Sequence, residues 1–226
     1  MKAMILAAGR GERMRPLTDS IPKPLLPVAG KPLIVHHIER LAKAGYREIV
    51  INHAHLGEMI EERLGQGDQW GVAIDYSAEG QALETGGGIF NALPLLGDSP
   101  FLVVNGDIWC DVELAQLTLS PEDLAHLVLV ANPVHNPQGD FYLQDKRLSE
   151  RAGEKLTFSG IGVYDPQLFS DCRAGAFPLA PLIRRAISLG RVSGERHAGE
   201  WIDVGTPQRL EKLEQKLDSL SNRIQF

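Results

Sequence analysis

The sequence predicts an α/β fold in which helices flank a mixed, mostly parallel sheet. Short β-rich runs alternate along the chain with amphipathic helical patterns, and this alternation is typical of βαβ units. At 226 residues and 43% hydrophobic content, the chain can bury one substantial core. No internal repeat is present, and nothing resembles the hexapeptide period of a β-helix. We therefore expect residues 1–226 to form a single domain with no C-terminal β-helix domain.

Strand and helix patterns alternate most clearly in the first half of the chain. Ile34, Ile38 and Leu41 recur at helical spacing. Pro32 suits the first turn of that helix, and Gly45 supplies its end. In chain order we predict a strand at 3–8, a helix at 32–44, a strand at 48–52, a helix at 55–64, a strand at 72–77, a short helix at 88–95 and a buried strand at 101–104.

The second half of the chain continues the pattern with fewer elements. An apolar run covers residues 127–131, a strand is predicted at 157–164 and a helix at 178–189. A last helix is predicted from Pro207 to about residue 220, because Leu210, Leu213 and Leu217 share one face.

The composition excludes several classes of protein. The formal net charge is −6 and no run of Lys or Arg stands out, so the electrostatic footprint of a nucleic-acid-binding protein is missing. Cys110 and Cys172 are the only cysteines and have no paired spacing, which argues against a disulfide framework or a zinc site. The apolar run at residues 4–8 is too short for a signal peptide, and no stretch approaches the roughly 20 apolar residues of a membrane span. We expect a cytoplasmic protein that binds neither nucleic acid nor membrane, with its oligomeric state left open.

A glycine-rich and arginine-rich segment follows the first predicted strand. Gly9 and Gly11 would let the backbone approach a phosphate and point its N–H groups at it. Arg13 and Lys23 would bring cations to the same end of the sheet, where ligands of open α/β proteins usually bind. The Walker pattern is absent, and the dinucleotide pattern fails because Met14 stands at its third glycine. Taken alone, these residues also fit a surface turn with solvated arginines.

Two acidic residues far apart in the sequence are candidate metal ligands. Asp107 follows the apolar strand predicted at 101–104, and Asp203 directly precedes the last helix. Magnesium commonly takes one or two carboxylates together with substrate phosphates and water. The alternative is that Asp107 forms a turn and Asp203 caps the last helix.

A second glycine-rich segment covers residues 79–88, between a predicted strand and a predicted helix. Its three successive glycines would allow close backbone contact with a base or ribose. We assign Thr85 and Gly87 to the nucleotide, with a plain surface turn as the alternative.

These motifs resemble those of a known enzyme family. The N-terminal pattern L-A-A-G-x-G-x-R-x-x-P-L-T…P-K is similar to the signature of the nucleoside-diphosphate-sugar pyrophosphorylases, sugar-phosphate nucleotidyltransferases with a Rossmann-like, GT-A-like fold. The Gly-Asp after the central strand and the late W-x-D-x-G-T segment resemble two further motifs of that family. The resemblance implies Mg²⁺ held by Asp107 and Asp203, with Arg13 on the triphosphate and Lys23 near the reacting centre. It implies nucleotide contacts from Ala8, Gly9, Gly11, Thr85 and Gly87.

The resemblance also implies a set of sugar contacts. Two departures occur: Glu84 replaces the glycine of the family's L-G-T-A-G segment, and Leu156 replaces the proline of its E-K-P motif. The residues implied for the sugar are Asn105, Gly139, Asp140, Glu154 and Gly160.

The substrates follow from the same resemblance. The compact length, together with the segments at 136–141 and 157–162, resembles a bacterial branch that uses UTP and N-acetylmuramate 1-phosphate. A lactyl carboxylate on that sugar requires a cationic partner, and the sequence offers Arg151, Lys155, Arg196 and His197. The nearest alternative is a mannose 1-phosphate guanylyltransferase or another hexose 1-phosphate nucleotidyltransferase. A glycosyltransferase, which normally has an Asp-x-Asp motif, and a non-catalytic nucleotide sensor are the remaining alternatives.

Overall fold

The computed structural model describes residues 1–224 and contains one large mixed sheet with helices on both faces. Its strands are β1 (Ala3–Leu6), β2 (Pro27–Val28), β3 (Lys31–Pro32), β4 (Glu48–His53), β5 (Ala73–Ala78), β6 (Phe101–Asn105), β7 (Ile108–Cys110), β8 (Ala125–Val130), β9 (Phe141–Gln144), β10 (Arg147–Ser149), β11 (Glu154–Tyr164), β12 (Val192–Arg196) and β13 (Trp201–Asp203). Its helices are α1 (Leu33–Lys43), α2 (Gly57–Leu64), α3 (Glu84–Leu96), α4 (Ala180–Ser188) and α5 (Pro207–Ile224).

The nine strands of the large sheet follow the order β5-β4-β1-β6-β11-β8-β12-β10-β9. The first four pair in parallel, as the helices between them require. β11 then runs antiparallel to both β6 and β8, because a β-hairpin and no helix separates β8 from β11 in the chain. The expectation of a mostly parallel sheet holds for the first half of the chain. Among the later strands within residues 1–224, β12 pairs in parallel with β8 and the other pairings are antiparallel, so the sheet as a whole is mixed.

Alternate side chains of the central strands enter two separate cores. Ala3 and Ile5 face a core that includes residues of α1 and α2. Met4 lies between them in the sequence and faces the opposite core, which includes residues of α3 and α4. This burial on both faces explains why the strand reads as a continuous apolar run in the sequence.

The predicted helices and central strands are present, and the differences lie at their ends. The helix expected at 88–95 begins at Glu84, so the three glycines belong to α3 and not to the loop before it. The strands β2, β3, β7, β9, β10, β12 and β13 were not predicted from the sequence. No helix within residues 1–224 combines the length and the hydropathy needed to cross a membrane.

The carboxyl ends of β1, β4, β5 and β6 lie along one edge of the sheet, since these strands are parallel neighbours in register. The segments that follow β1, β5 and β6 therefore meet at that edge. Two of them hold the glycine-rich segments, and the third holds Asp107.

Candidate active site

A solvent-open cleft of about 340 Å³ lies at this edge of the sheet. The loop after β1 forms one wall, the start of α3 forms another, and the end of β6 lies at its floor. Of the residues predicted from the sequence, those that line the cleft are Ala8, Gly9, Gly11, Arg13, Lys23, Thr85, Asn105 and Asp107.

The loop after β1 presents free hydrogen-bond donors to the cleft. Gly11 has a left-handed backbone with φ 71°, and its carbonyl oxygen accepts a hydrogen bond from the Thr18 hydroxyl at 2.9 Å. Within residues 1–224, the backbone N–H groups of Ala8 and Gly9 have no acceptor, and Arg13 has neither a hydrogen bond nor an ion pair. Free amides beside a free guanidinium form a surface suited to a phosphate group.

A buried hydrogen-bond network holds this loop from below. Oδ1 of Asn52, at the end of β4, accepts a bond from the Ala7 N–H at 2.9 Å. The Asn52 amide donates to Oε1 of Glu79 at 2.7 Å, and Oε2 of Glu79 accepts from the Leu83 N–H at 2.8 Å. Both side chains are almost fully buried, yet they also line the cleft. The network thus ties the loop after β1 to the segment that begins α3.

The two candidate metal ligands are brought together by a small antiparallel ladder between β7 and β13. In this ladder Asp203 pairs with Ile108, and the Val204 N–H donates to the carbonyl oxygen of Asp107 at 2.8 Å. The ladder therefore places Asp107 and Asp203 on neighbouring segments of the backbone, although 96 positions separate them in the sequence. Both side chains are carboxylates, the hard oxygen donors that Mg²⁺ prefers, so in chemistry these residues fit the metal implied by the resemblance.

Cations contact both carboxylates in this structure. Nζ of Lys23 lies 2.8 Å from Oδ2 of Asp107, and the Lys23 side chain is only 10% exposed. Oδ2 of Asp203 contacts a guanidinium nitrogen of Arg209 and lies 3.1 Å from Nε2 of His135. Each of the two carboxylates therefore has a cationic partner from the protein.

Two buried groups beside the ladder are uncharged at neutral pH. Burial is the main cause that lowers the pKa of His37 to about 4, and its partner is the backbone of Ile108. Burial also raises the pKa of the Cys110 thiol to about 11. Cys110 is thus a protonated packing residue, and a thiolate nucleophile is not available at this position.

The second glycine-rich segment divides between the cleft and the protein interior. Thr85 and Glu84 line the cleft. Glu84 has φ 58°, a left-handed backbone conformation that glycine adopts without steric strain. Gly87 does not line the cleft. Its N–H donates to the carbonyl oxygen of Phe177 at 3.0 Å, and a Cβ at this position would lie 2.3 Å from the carbonyl oxygen of Gly175. The structure therefore places Gly87 in a packing contact within the protein, and its contact with the nucleotide stays a prediction.

The predicted sugar contacts are only partly brought together. Asn105 lines the cleft, and Gly160 lies against it, because a Cβ on Gly160 would stand 2.7 Å from the Asn105 amide nitrogen. Gly160 has φ 85° at an irregularity in β11, between Phe158 and Ile161.

The other three predicted sugar residues lie outside the cleft. Both carboxylate oxygens of Asp140 accept hydrogen bonds from the protein, one from the Asn136 amide at 3.0 Å and the other from the Phe158 N–H at 2.8 Å. Gly139 is part of the same loop and packs against the Leu156 carbonyl.

Glu154 begins β11 and pairs with Arg196 at 2.8 Å, where both side chains are about half exposed. For this residue, as for Gly139 and Asp140, the structure shows contacts within the protein, and the sugar contact stays a prediction.

Sequence reasoning missed four side chains of the site. Asn52 and Glu79 stand at the ends of the parallel strands β4 and β5, so the rule that singled out Asp107 could have found them. His135 and Arg209 carried no such signal, because they lie in a loop and a helix remote from each other in the chain.

Comparison with known proteins agrees with this arrangement. Residues 2–141 match the nucleotidyl transferase family. The chain is 56% identical to the N-acetylmuramate alpha-1-phosphate uridylyltransferase of Neisseria meningitidis serogroup B, over 95% of this chain and 97% of that protein. It is 38% identical to the enzyme of the same name from Caulobacter vibrioides, over 95% of this chain and 96% of that protein.

A solved structure shares the fold. A Bacillus anthracis protein crystallised with sucrose, and provisionally described as a glucose-1-phosphate thymidylyltransferase, superposes with a TM-score of 0.82. The match covers 95% of this chain and 94% of the other, at 22% sequence identity. Family match, full-length relatives and shared fold point the same way, and the chain belongs to the nucleotidyl transferase family.

Proposed function

We propose that this protein transfers the uridylyl group of UTP to N-acetylmuramate 1-phosphate in the presence of Mg²⁺, giving the nucleotide-sugar and pyrophosphate. The observation that carries the proposal is the 56% identity, over almost the whole chain, to a relative named for that activity. The geometry of the cleft is consistent with it, because free amides, cations and paired carboxylates meet at one edge of the sheet.

The chemistry requires positioning and charge relief more than proton transfer. A phosphate oxygen of the sugar 1-phosphate is already anionic, so it attacks the α-phosphorus of UTP without a general base. The new P–O bond forms as the bond to the pyrophosphate oxygen breaks in line, and no protein nucleophile takes part. Preorganised cations around the phosphates are the usual source of rate enhancement in such reactions.

The cations, free amides and carboxylates at the cleft have separate parts in this scheme. Arg13 and the amides of Ala8 and Gly9 bind the triphosphate, since they have no protein partner to lose. Lys23 faces the reacting phosphate from a nearly buried position, where a cation acts more strongly than in water. Asp107 and Asp203 would hold Mg²⁺, which supplies neutralisation of phosphate charge when bound.

The test is a substrate matrix followed by pyrophosphate release. Purified protein with Mg²⁺ is incubated with UTP, GTP, CTP or dTTP against the 1-phosphates of N-acetylmuramate, N-acetylglucosamine, mannose and glucose. We expect the strongest signal from UTP with N-acetylmuramate 1-phosphate. Asp107→Asn should abolish it, whereas Asp98→Asn, a change at an exposed residue remote from the cleft, should not.

Other outcomes separate the alternatives. Preference for GTP and mannose 1-phosphate would keep the reaction type and discard the substrates. Release of UDP from a UDP-sugar, without pyrophosphate from UTP, would indicate a glycosyltransferase. Nucleotide binding without any turnover would indicate a sensor.

A further inference from the structure

Three polar side chains form a compact group at Asp203, which we call the Asp203 cluster. It consists of Asp203, His135 and Arg209. Nη1 of Arg209 contacts Oδ2 of Asp203 and lies 3.3 Å from Nε2 of His135. His135 lies 3.1 Å from the same Asp203 oxygen. One carboxylate thus holds a guanidinium and an imidazole in place.

The Arg209 guanidinium still has donors to offer. Its Nε makes a long contact of 3.4 Å to the Thr206 hydroxyl, and its Nη2 has no hydrogen-bond acceptor among residues 1–224. The Arg209 side chain is 22% exposed and that of His135 is 40% exposed. Arg13 adds a second guanidinium nearby, because a Cβ on Gly205 would lie 2.9 Å from Nη2 of Arg13 and 3.1 Å from Nη2 of Arg209. The surroundings of Asp203 therefore carry more positive charge than that one carboxylate neutralises.

The Asp203 cluster borders the cleft, because Gly205 lines the cleft and a Cβ on Gly205 would lie 2.8 Å from Oδ1 of Asp203. Trp201 connects the cluster with the segment before Gly160. The ring of His135 stacks on Trp201, with centroids 6.4 Å apart. The indole N–H of Trp201 donates to the carbonyl oxygen of Ser159 at 2.8 Å, directly before Gly160. A sugar held at Asn105 would consequently have the Asp203 cluster as a neighbour.

The other cations considered from the sequence are engaged elsewhere or lie apart. Arg196 is paired with Glu154, and His197 is hydrogen-bonded to Asp111 at 2.7 Å. Lys155 lies over the ring of Tyr142, in the hairpin of β9 and β10. Arg151 is exposed in the loop between β10 and β11.

We propose that Arg209 and His135 form a subsite for the carboxylate of an acidic sugar, here the lactyl group of N-acetylmuramate 1-phosphate. Arg209 donates from Nη2 and His135 from its ring N–H, while Asp203 keeps both side chains oriented. The inference rests on the proposed function, because only that substrate among those considered carries the extra carboxylate. Charge-assisted hydrogen bonds of this kind give both affinity and discrimination.

The experiment compares two sugar phosphates that differ only in the lactyl ether. Pyrophosphate release is measured with UTP and either N-acetylmuramate 1-phosphate or N-acetylglucosamine 1-phosphate, for the wild type, Arg209→Gln, Arg209→Lys and His135→Gln. Arg185→Gln is the control, because Arg185, which belongs to α4, pairs with Asp171 at an exposed site away from the cleft. Binding of the two UDP-sugars in the presence of EDTA, followed by calorimetry, gives a readout that needs neither metal nor turnover.

We expect Arg209→Gln to lose roughly 10- to 100-fold in kcat/KM for the muramate substrate, mainly through KM, because a charged hydrogen bond is lost. The loss for the glucosamine substrate should be about tenfold smaller, because that sugar has no lactyl carboxylate to pair with Arg209. Arg209→Lys should recover part of the loss, His135→Gln should show a smaller loss of the same selectivity, and Arg185→Gln should match the wild type. In EDTA, Arg209→Gln should bind UDP-N-acetylmuramate more weakly and UDP-N-acetylglucosamine as before.

The opposite results are distinguishable. If the wild type prefers N-acetylmuramate 1-phosphate and Arg209→Gln keeps that preference, the subsite is refuted and the proposed function stands. An equal loss of kcat/KM on both sugars would also refute the subsite. It would show that Arg209 acts only by holding Asp203 in position. If the wild type does not use N-acetylmuramate 1-phosphate, both proposals fall.

Discussion

Gly88 is the position at which one added methyl group tests the buried network beneath the cleft. A Cβ at this residue would lie 2.7 Å from Oε1 of Glu79 and 2.8 Å from Nδ2 of Asn52. These are the two atoms that hydrogen-bond to each other at 2.7 Å. Both distances are shorter than Cβ contacts in real proteins, so the change Gly88→Ala must displace the bond.

Two opposing effects set the magnitude. A hydrogen bond to a charged group contributes about 1.5–3 kcal/mol to stability. Replacing glycine by alanine inside a helix stabilises it by about 1 kcal/mol, and Gly88 is the fifth residue of α3. We therefore expect Gly88→Ala to lower the free energy of unfolding by about 0.5–2 kcal/mol. When Asn52 and Glu79 are both alanine, the clash is gone and the same change should raise the free energy of unfolding by about 1 kcal/mol.

The assay is urea unfolding with linear extrapolation, applied to the four proteins of this cycle. The decisive result is the reversal of sign between the two backgrounds, with the m-value unchanged. If Gly88→Ala stabilised the wild type as much as it stabilises the variant lacking Asn52 and Glu79, the close approach of these side chains to α3 would be disproved. A shift confined to the m-value would instead indicate a change in the unfolded state.

Three further changes test other parts of the site. Lys23→Met should lower kcat/KM for pyrophosphate release by roughly two to three orders of magnitude, because the reacting phosphate loses a preorganised cation; an effect below about tenfold would remove Lys23 from the chemistry. Since burial lowers the pKa of His37 from 6.5 to about 4, its contribution to stability is complete above pH 6.5 and is lost as the pH falls to 4. That loss is about 3 kcal/mol. In His37→Leu, the free energy of unfolding measured with urea should therefore fall less steeply as the pH is lowered from 6.5 to 4. Asp140→Ala should lower the free energy of unfolding by about 2 kcal/mol, because the Phe158 N–H loses its acceptor; a residue that only contacted the sugar would leave that energy unchanged.

The parallel strands of the first half could be predicted from the sequence, because each is marked by the pattern of its own residues. In the large sheet β1, β4 and β6 are apolar runs, β5 alternates between apolar and polar residues, and helical patterns precede β4, β5 and β6. The rule that ligands gather at the carboxyl ends of such strands then pointed to Arg13, Lys23 and Asp107.

The antiparallel half was hidden for two physical reasons. The turn between β9 and β10 has positive φ at Asp145 and Lys146, without the glycine by which such turns are usually predicted. The ladder of β7 with β13 joins two segments of three residues each, about ninety positions apart, and neither has a pattern of its own. That Asp107 and Asp203 lie on neighbouring segments could therefore be predicted only from the family resemblance.

The three successive glycines of α3 have a packing role that the sequence did not predict. The sequence favoured a loop in which three glycines let the backbone approach a base. In the structure they lie in a helix, and each admits a protein neighbour: Phe177 at Gly86, the carbonyl of Gly175 at Gly87, and the Asn52–Glu79 bond at Gly88. A side chain at any of the three would displace that neighbour, and the first turn of the helix, which presents Thr85 to the cleft, would move with it. The glycines thus act on the cleft through packing, and we expect substitutions there to alter stability before they alter substrate preference.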